Sequence, residues 1–184
     1  MEITDSLHRK LNNKQDLTHN VFPTPWGWMG VLASASGIRI LTLPQETRDL
    51  ALFGLGDLSG SMLDKAGFRP LEEKLADYFN AKIVVFDEGT DFTGYTPFMQ
   101  SVWQNARQVG YGQTSSYRDI AIRAGSPRAF RAAGQALKRN PVPIIIPCHR
   151  IIGSGGELRG FNSGVGLKKE LLELEQSGLA KTAG

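Results

Sequence analysis

The sequence predicts a mixed α/β protein with two domains: a small α/β domain over residues 1–92 and a mainly helical domain over residues 93–184. The 184 residues, 41% of them hydrophobic, can bury two modest cores. The charge divides at the same place. Nine Lys and Arg against thirteen Asp and Glu make the first part −4, whereas twelve against five make the second +7. A basic half is expected where one domain meets a polyanion, although a solvated basic face gives the same count.

The first domain is predicted to alternate strands and helices. Aromatic and aliphatic residues around the turn signal Ala-Ser-Gly predict a β-hairpin or meander, and prolines near the first helical position predict two helices. A β-branched stretch predicts a further strand. The residues before this region are polar and expected to be loosely held. The predicted elements are the hairpin Phe22–Leu43, the helices Pro44–Leu55 and Arg69–Asn80, the strand Lys82–Phe86 and the linker Asp87–Phe92.

Three helices are predicted next, each opened by a capping residue. Thr96 precedes a proline at the first helical position, and Ser116 with Asp119 three residues later forms a capping box. Ser126, again followed by proline, caps the third helix. The second and third helices, joined by Ala-Gly-Ser, match a helix-turn-helix. The three predicted helices are Pro97–Val109, Tyr117–Ala124 and Pro127–Arg139.

One face of the third predicted helix is basic. Its long polar side chains recur at helical spacing, with small residues beside them. Gly134 costs about 1 kcal/mol in a helix interior, so we expect something to approach closely there. Such a face suits a nucleic-acid groove, and packing against the protein's own core is the alternative. The polar residues of this stripe are Arg128, Arg131, Gln135, Lys138 and Arg139.

The stretch Pro141–Arg150 reads PVPIIIPCHR and holds the single cysteine of the chain. Its β-branched run favours an extended backbone that enters a core and ends at Pro147, with Cys148 at the core's edge. In extended backbone Cys148 and His149 point to opposite faces, so a proton would pass between them through a water. Beside His149 and Arg150 the thiol is expected to have a lowered pKa and to act as a nucleophile. An inert buried cysteine is the alternative.

Two glycine-rich loops and a helix follow the cysteine. Glycines allow a close approach of backbone to a ligand. The final helix is predicted over Leu167–Gln176, with Lys168 on its exposed side. Periodicity alone does not separate Glu173 from Glu175. The loops are Gly153–Gly156 and Gly160–Gly166.

PCHRI, preceded by NPVPIII and followed by a glycine-rich loop and an acidic helix, resembles the active-site signature of the O6-alkylguanine-DNA alkyltransferase (methylated-DNA–protein-cysteine methyltransferase) family. The family more often has Val at Ile151. The resemblance covers about Pro97–Glu175. It implies an RNase H-like first domain and a winged-helix-like second domain. It also implies a repair protein that flips O6-alkylguanine, and O4-alkylthymine, out of duplex DNA and transfers the alkyl group irreversibly to its own cysteine.

The same resemblance implies roles in the chemistry. Cys148 looks like the alkyl acceptor, His149 like the base that takes its proton through a water, and Glu175 like the carboxylate that orients the histidine. Asn140 matches the asparagine that braces the turn before the active site. The family's substrate loop more often reads Gly-Tyr-x-Gly-Gly, so the departure here leaves the range of alkyl groups open. The implied substrate-pocket residues are Phe161, Asn162 and Ser163.

Further roles implied by the resemblance concern DNA bound through its minor groove. Tyr117 matches the tyrosine that crowds the phosphate beside the target, helps to rotate the nucleotide and lies near the guanine. Arg131 matches the arginine finger that fills the gap left in the base stack. The remaining expected DNA contacts are Arg118, Ser126, Arg128 and Ser154.

No cofactor or metal is expected. A single cysteine excludes an intramolecular disulfide and a cysteine-rich zinc site, and only His8 and His19 lie where some relatives bind zinc. The first ten residues are no signal peptide, and no stretch has the length of a membrane span. We therefore expect a monomer in the cytoplasm (with the nucleoid in a prokaryote, or in a eukaryotic nucleus). Its partners are double-stranded DNA and alkylated guanine.

Two other classes of function compete. A non-catalytic helix-turn-helix protein or lesion sensor would bind DNA without repairing it, but such sensors lack the cysteine that this chain has. A cysteine hydrolase using Cys148 and His149 would need a route to deacylation, which the sequence does not suggest. Repeated turnover would favour the hydrolase.

Overall fold

The computed structural model describes residues 17–158 and 164–182, and these form two compact units. The first comprises the described residues up to Ala76 together with Asp87–Asp91. The second comprises Asp77–Phe86 and the described residues from Phe92 onward. A small sheet in the first unit and helices in the second confirm the mixed α/β class. The domain boundary at residues 92 and 93 stays a prediction.

The first unit contains a four-stranded sheet in the order β3-β2-β1-β4. Neighbouring strands are antiparallel except β1 and β4, which are parallel. Gly27 and Gly37 begin β2 and β3 directly after the two tight turns, with φ of 132° and 135°, backbone that a residue with a Cβ rarely adopts. The hairpin is confirmed, but its first strand begins earlier than predicted because β1 pairs with β2 from Thr18. The strands are β1 (Thr18–Thr24), β2 (Gly27–Ser34), β3 (Gly37–Leu41) and β4 (Met62–Leu63).

Both predicted helices of this region begin elsewhere. Helix α1 (Arg48–Phe53) begins later, because the Thr47 side chain accepts a hydrogen bond from the Leu50 amide and caps it. Helix α2 (Lys65–Phe79) begins before Pro70 and contains it. Lys82–Phe86 is no strand. Within the described residues no neighbouring strand pairs with it, and β-branched composition alone does not make a ladder.

The second unit packs helices around Trp103, whose indole nitrogen donates to the Ala136 carbonyl at 2.8 Å. Thr96 caps the first helix, and both hydrogen bonds of the Ser116–Asp119 capping box are present, as predicted. The helices are α3 (Pro97–Arg107), α4 (Tyr117–Arg123), α5 (Phe130–Lys138) and α6 (Val165–Thr182). A short parallel ladder joins β5 (Ser115–Ser116) to β6 (Ile151–Ile152).

The turn between α4 and α5 differs from the prediction. Gly125 adopts φ of 75° and ends α4, but Ser126 does not cap the next helix. Its carbonyl instead accepts the Ala129 amide at 2.9 Å and closes a turn. Helix α5 therefore begins at Phe130, and Arg128 precedes the helix rather than lying on its basic stripe.

The apolar run before the cysteine is buried, as predicted, but it is a series of turns rather than a strand. The Ile146 amide donates to the Val142 carbonyl at 2.9 Å, and Ile144 has φ of 72°. A β-branched residue in that region is strained by roughly 1–2 kcal/mol, so its surroundings must impose the turn. Cys148–Arg150 then forms one turn of 3₁₀ helix.

Among the residues that the structure describes, no helix combines the length and the apolar character that a membrane span requires.

Candidate active site

Cys148 is buried at the start of the 3₁₀ turn, where its amide donates to the Ile146 carbonyl at 2.8 Å. Asn140 holds this turn from the other side. Its Nδ2 donates to the Ile146 carbonyl at 2.8 Å and to Sγ of Cys148 at 3.2 Å, while its Oδ1 accepts the Val142 amide at 3.0 Å. One amide side chain therefore fixes both the backbone turn and the thiol.

His149 and Glu175 lie together in the interior, both fully buried. Nε2 of His149 and Oε1 of Glu175 are 2.8 Å apart. Because the carboxylate can only accept, Nε2 carries the hydrogen and Nδ1 is left with a lone pair. Nδ1 is buried and has no hydrogen-bond partner among the described residues. The imidazole is thus oriented with a free basic nitrogen.

Glu175 also accepts hydrogen bonds from an arginine, a tyrosine and a backbone amide. Arg150 donates from Nε at 3.1 Å to each oxygen and from Nη2 at 2.9 Å to Oε1. The Tyr78 hydroxyl donates to Oε1 at 2.8 Å, and the Gly112 amide donates to Oε2 at 2.9 Å. Burial by itself raises the pKa of Glu175, but the hydrogen bonds and charges of His149 and Arg150 outweigh it and lower the pKa to about 2.

Burial is the largest influence on the pKa of His149 and on that of Cys148. It lowers the pKa of His149 below its ordinary value, and Arg150 and Lys168 lower it further, against the pull of Glu175. It raises the pKa of Cys148, with the Asn140 hydrogen bond and the Lys168 charge opposing. The prediction that His149 and Arg150 lower the thiol pKa is therefore wrong. The Arg150 guanidinium is paired with Glu175, and the His149 imidazole is neutral.

Lys168 was predicted on an exposed face, but it is fully buried. Its Nζ donates to the Ile151 carbonyl at 2.5 Å and to the Tyr117 hydroxyl at 3.4 Å, and lies 5.5 Å from the centre of the Tyr117 ring. Burial lowers the pKa of Lys168 to about 8, against the opposing pull of Cys148. Burial, followed by Cys148, raises the pKa of Tyr117 to about 12, so its hydroxyl stays protonated. Lys168 is thus a buried cation whose charge acts on the thiol.

A cavity of about 290 Å³ opens beside Tyr117. Its lining includes three of the predicted DNA-binding residues, Tyr117, Arg118 and Ser154, and two residues that the sequence did not suggest, Phe130 and Glu157. Its lining is Tyr117, Arg118, Phe130, Gly153, Ser154 and Glu157.

The remaining predicted DNA-binding residues lie elsewhere on the second unit. Ser126 and Arg128 line a separate hollow at the turn between α4 and α5. Arg131 is exposed on α5, its guanidinium 5.8 Å from the centre of the Phe130 ring. Phe161, Asn162, Ser163 and His8 lie outside the described residues. In the described ranges no three His, Cys, Asp or Glu side chains are grouped as a metal site, and metal independence stays a prediction.

Comparisons with known proteins bear on the family of this chain. Residues 97–177 match the family model described as 6-O-methylguanine DNA methyltransferase, DNA binding domain. A methylated-DNA–protein-cysteine methyltransferase of Methanosarcina barkeri is 46% identical over 121 residues, covering 63% of this chain and 73% of that protein. The chain belongs to the methylated-DNA–protein-cysteine methyltransferase family. The resemblance seen in PCHRI is confirmed.

Two further matches are to the same methyltransferase family. The protein of that name from Mycobacterium bovis is 43% identical over 114 residues, which cover 62% of this chain and 68% of that protein. The solved structure of Mycobacterium tuberculosis OGT in complex with DNA matches with a TM-score of 0.74 at 34% identity, covering 88% of this chain and 94% of that one.

In this methyltransferase-family site, sequence reasoning missed the roles of Tyr78, Arg150 and Lys168. Helical spacing could have revealed Lys168, because counting two turns back from Glu175 reaches it. The buried positions of α6 include Lys168, Leu171, Glu175 and Gly178, a single stripe at helical spacing. The same stripe separates Glu175 from Glu173, which is exposed and lies 3.5 Å from Lys169. No local signal pointed to Tyr78, which is 97 positions from Glu175.

Proposed function

We propose that this protein repairs DNA by transferring the alkyl group of O6-alkylguanine to Sγ of Cys148. Membership of the methyltransferase family and the match to its DNA-binding domain support the activity. The single observation that carries the assignment of residues is the buried row Cys148, His149 and Glu175, in which the carboxylate holds Nε2 and leaves Nδ1 able to accept a proton. Activity on O4-alkylthymine belongs to the same proposal.

In the proposed reaction, Sγ attacks the alkyl carbon in line with the bond to O6. The thiol proton passes through a water to Nδ1 of His149, which becomes an imidazolium facing Glu175. The S–C bond forms as the C–O6 bond breaks, and the electron pair stays on the guanine oxygen. Tyr117, protonated because its pKa is raised to about 12, donates a hydrogen bond to the departing base, and Lys168 stabilises the thiolate.

The product is a thioether on Cys148, which makes the protein a stoichiometric reagent. A thioether is not an ester, so adding water does not release the alkyl group as it would release an acyl group. Each molecule therefore accepts one alkyl group. This distinguishes the proposal from the cysteine hydrolase.

We propose the minor groove as the DNA surface that meets the second unit. Phosphate contacts there would be largely independent of sequence, as general repair requires. Arg118 and Ser154 line the cavity beside Tyr117, and Ser126 and Arg128 lie at the turn before α5. Arg131 is exposed next to Phe130 and is assigned the space that the flipped guanine leaves.

The finer fold description is part of the proposal. The parallel pairing of β1 with β4 and the antiparallel hairpins are compatible with an RNase H-like first unit. The α4–α5 pair with the β5–β6 ladder supports a winged-helix-like second unit. We further propose that the protein acts as a monomer where the cell keeps its DNA, in the cytoplasm of a prokaryote or the nucleus of a eukaryote.

Mass spectrometry after mixing the protein with duplex DNA that contains O6-methylguanine tests the proposal. We expect one added methyl group, on the peptide that contains Cys148, and none on a Cys148→Ser variant. Binding without any adduct would indicate a lesion sensor, and repeated turnover a hydrolase. Either outcome would remove the proposed function.

The same assay separates base flipping from chemistry when it is run with Arg131→Ala. This variant should react more slowly with alkylated duplex, because the unstacked gap stays unfilled at a cost of a few kcal/mol. It should react at the wild-type rate with free O6-alkylguanine, which needs no flipping. An equal loss on both substrates would assign Arg131 to the fold or pocket instead.

A further inference from the structure

One donor to Glu175 comes from outside the region that the family model matches. Tyr78 is near the end of α2, whereas the match covers residues 97–177. Its side chain is fully buried, and its hydroxyl donates to Oε1 of Glu175 at 2.8 Å. The same hydroxyl oxygen lies 3.3 Å from Nε2 of His149. Tyr78 therefore contacts both members of the pair that would accept the thiol proton.

We infer that Tyr78 is a positioning residue for alkyl transfer: its hydroxyl holds Oε1 of Glu175 and limits how strongly that oxygen attracts a proton on His149. The inference rests on the proposed function, since it concerns the base in that reaction. His149 Nε2, Arg150 Nη2 and the Tyr78 hydroxyl all contact Oε1. Hydrogen bonds to a carboxylate disperse its negative charge, so each donor weakens its pull on the others.

The direction in which removal of the Tyr78 hydroxyl shifts the pKa of His149 follows from the groups around the imidazole. Glu175 on α6 favours its protonated form, whereas Arg150 on the same 3₁₀ turn and Lys168 on α6 disfavour it. Cys148 precedes it, and Tyr78 approaches from α2. Removing the Tyr78 hydroxyl takes one donor from Glu175, so that carboxylate attracts the His149 proton more strongly. The pKa of His149 then rises, and a larger fraction of the base is already protonated at low pH.

Packing alone would give Tyr78 a purely structural role, and the structure offers a matched control for it. Tyr78 packs edge-on against Phe79, Phe86 and Tyr111, with ring centres 5.3, 5.8 and 6.1 Å away. Tyr111 belongs to the same aromatic group, but its buried hydroxyl has no hydrogen-bond partner among the described residues. Replacing either tyrosine by phenylalanine keeps the ring. Only Tyr78→Phe removes a donor to Glu175.

The test compares single-turnover alkylation of Cys148 across the acid limb of the pH profile for wild type, Tyr78→Phe and Tyr111→Phe, with free O6-alkylguanine as substrate. We expect the acid limb of Tyr78→Phe to move to higher pH by about half a unit, and that of Tyr111→Phe to stay in place. The imidazole nitrogen resonances of His149, recorded in nitrogen-labelled protein, should titrate with the same displacement.

A limb that stays in place or moves to lower pH in Tyr78→Phe would overturn the inference, as would an equal displacement in Tyr111→Phe. A drop in rate at every pH with an unmoved limb would assign Tyr78 to packing and would equally overturn it. Failure of the proposed function is separately visible, because wild-type protein would then gain no alkyl mass on Cys148.

Discussion

The charged form of the ionisable groups is favoured at one end of the buried site and disfavoured at the other. The carboxylate region consists of Glu175, Arg150, Tyr78 and the Gly112 amide, and there the pKa of the acid is lowered to about 2. The thiol region consists of Cys148, Asn140, Lys168 and Tyr117, and there burial raises the pKa of Cys148 and lowers that of Lys168 to about 8. Both regions are buried, so burial alone does not explain the difference.

Hydrogen-bond donors decide between the two outcomes. Glu175 accepts hydrogen bonds from His149, Tyr78, the Arg150 guanidinium and the Gly112 amide, and the hydrogen bonds and charges of His149 and Arg150 outweigh its desolvation. In the described part of the chain, the thiol receives a side-chain hydrogen bond from Asn140, and the charge of Lys168 favours its ionised form. One region holds an ionised carboxylate among its donors, and the other holds a thiol that burial keeps neutral beside the Lys168 cation. His149 joins the two.

The largest effect is expected when the carboxylate region loses the charge of Glu175. Glu175→Gln leaves Arg150 buried without its counter-charge, so we expect a loss of roughly 3 kcal/mol or more in the free energy of unfolding. Alkyl transfer should slow, because His149 loses its orienting acceptor. Thermal melts and single-turnover rates measure the two effects. Glu173→Gln, an exposed change on the same helix, is the control and should alter neither.

The pH dependence of that loss has a defined sign. The pKa of Glu175 falls from 4.5 to about 2 on folding, so its stabilisation is complete above pH 4.5 and is lost as the pH falls toward 2. The stability difference between wild type and Glu175→Gln should therefore narrow over that window. A constant difference down to pH 2 would show that the native carboxylate is not held ionised.

A smaller effect, opposite for stability and rate, is expected in the thiol region. Lys168→Met removes a buried cation, so the free energy of unfolding at neutral pH should rise by about 1–3 kcal/mol. Transfer should slow by about tenfold, because the charge that favours the thiolate is gone. Lys169→Met, exposed on the same helix, should leave both unchanged. A slower variant that is also less stable would argue that Lys168 braces the fold.

The wild-type protein carries its own pH signature of Lys168. Its pKa is 10.5 when unfolded and about 8 when folded, so the unfolded state binds more protons between these values. The contribution of Lys168 to stability should therefore rise with pH from about 8 to 10.5, so the stability advantage of Lys168→Met over wild type should shrink across that range.

The smallest expected effect concerns the outer wall of the thiol region. A Cβ on Gly134 would lie 3.6 Å from Cδ1 of Tyr117, which is an ordinary contact. Gly134→Ala should therefore stabilise α5 by up to about 1 kcal/mol and leave transfer from free O6-alkylguanine unchanged. Ala132→Gly on the same helix should destabilise by a similar amount. A melting temperature lowered by Gly134→Ala would mean that Tyr117 packs more tightly than the structure shows.

The sequence by itself determined what depends on near neighbours. The Thr96 cap, the Ser116–Asp119 capping box and the end of α4 at Gly125 each involve residues within four positions, and all three were predicted. The PCHRI motif likewise identified the family before any geometry was known. Local hydrogen bonds and backbone preferences need no knowledge of the rest of the chain, so short patterns report them.

Only the tertiary structure decided which charges are buried and what they contact. Lys168 looks like a surface lysine until Ile151 and Tyr117 enclose it, and Ile144 adopts a positive φ only because the surrounding turns impose it. Tyr78 reaches Glu175 across 97 positions. The pKa of a group depends on desolvation and on donors brought from distant parts of the chain, and neither quantity is encoded in the residues next to it.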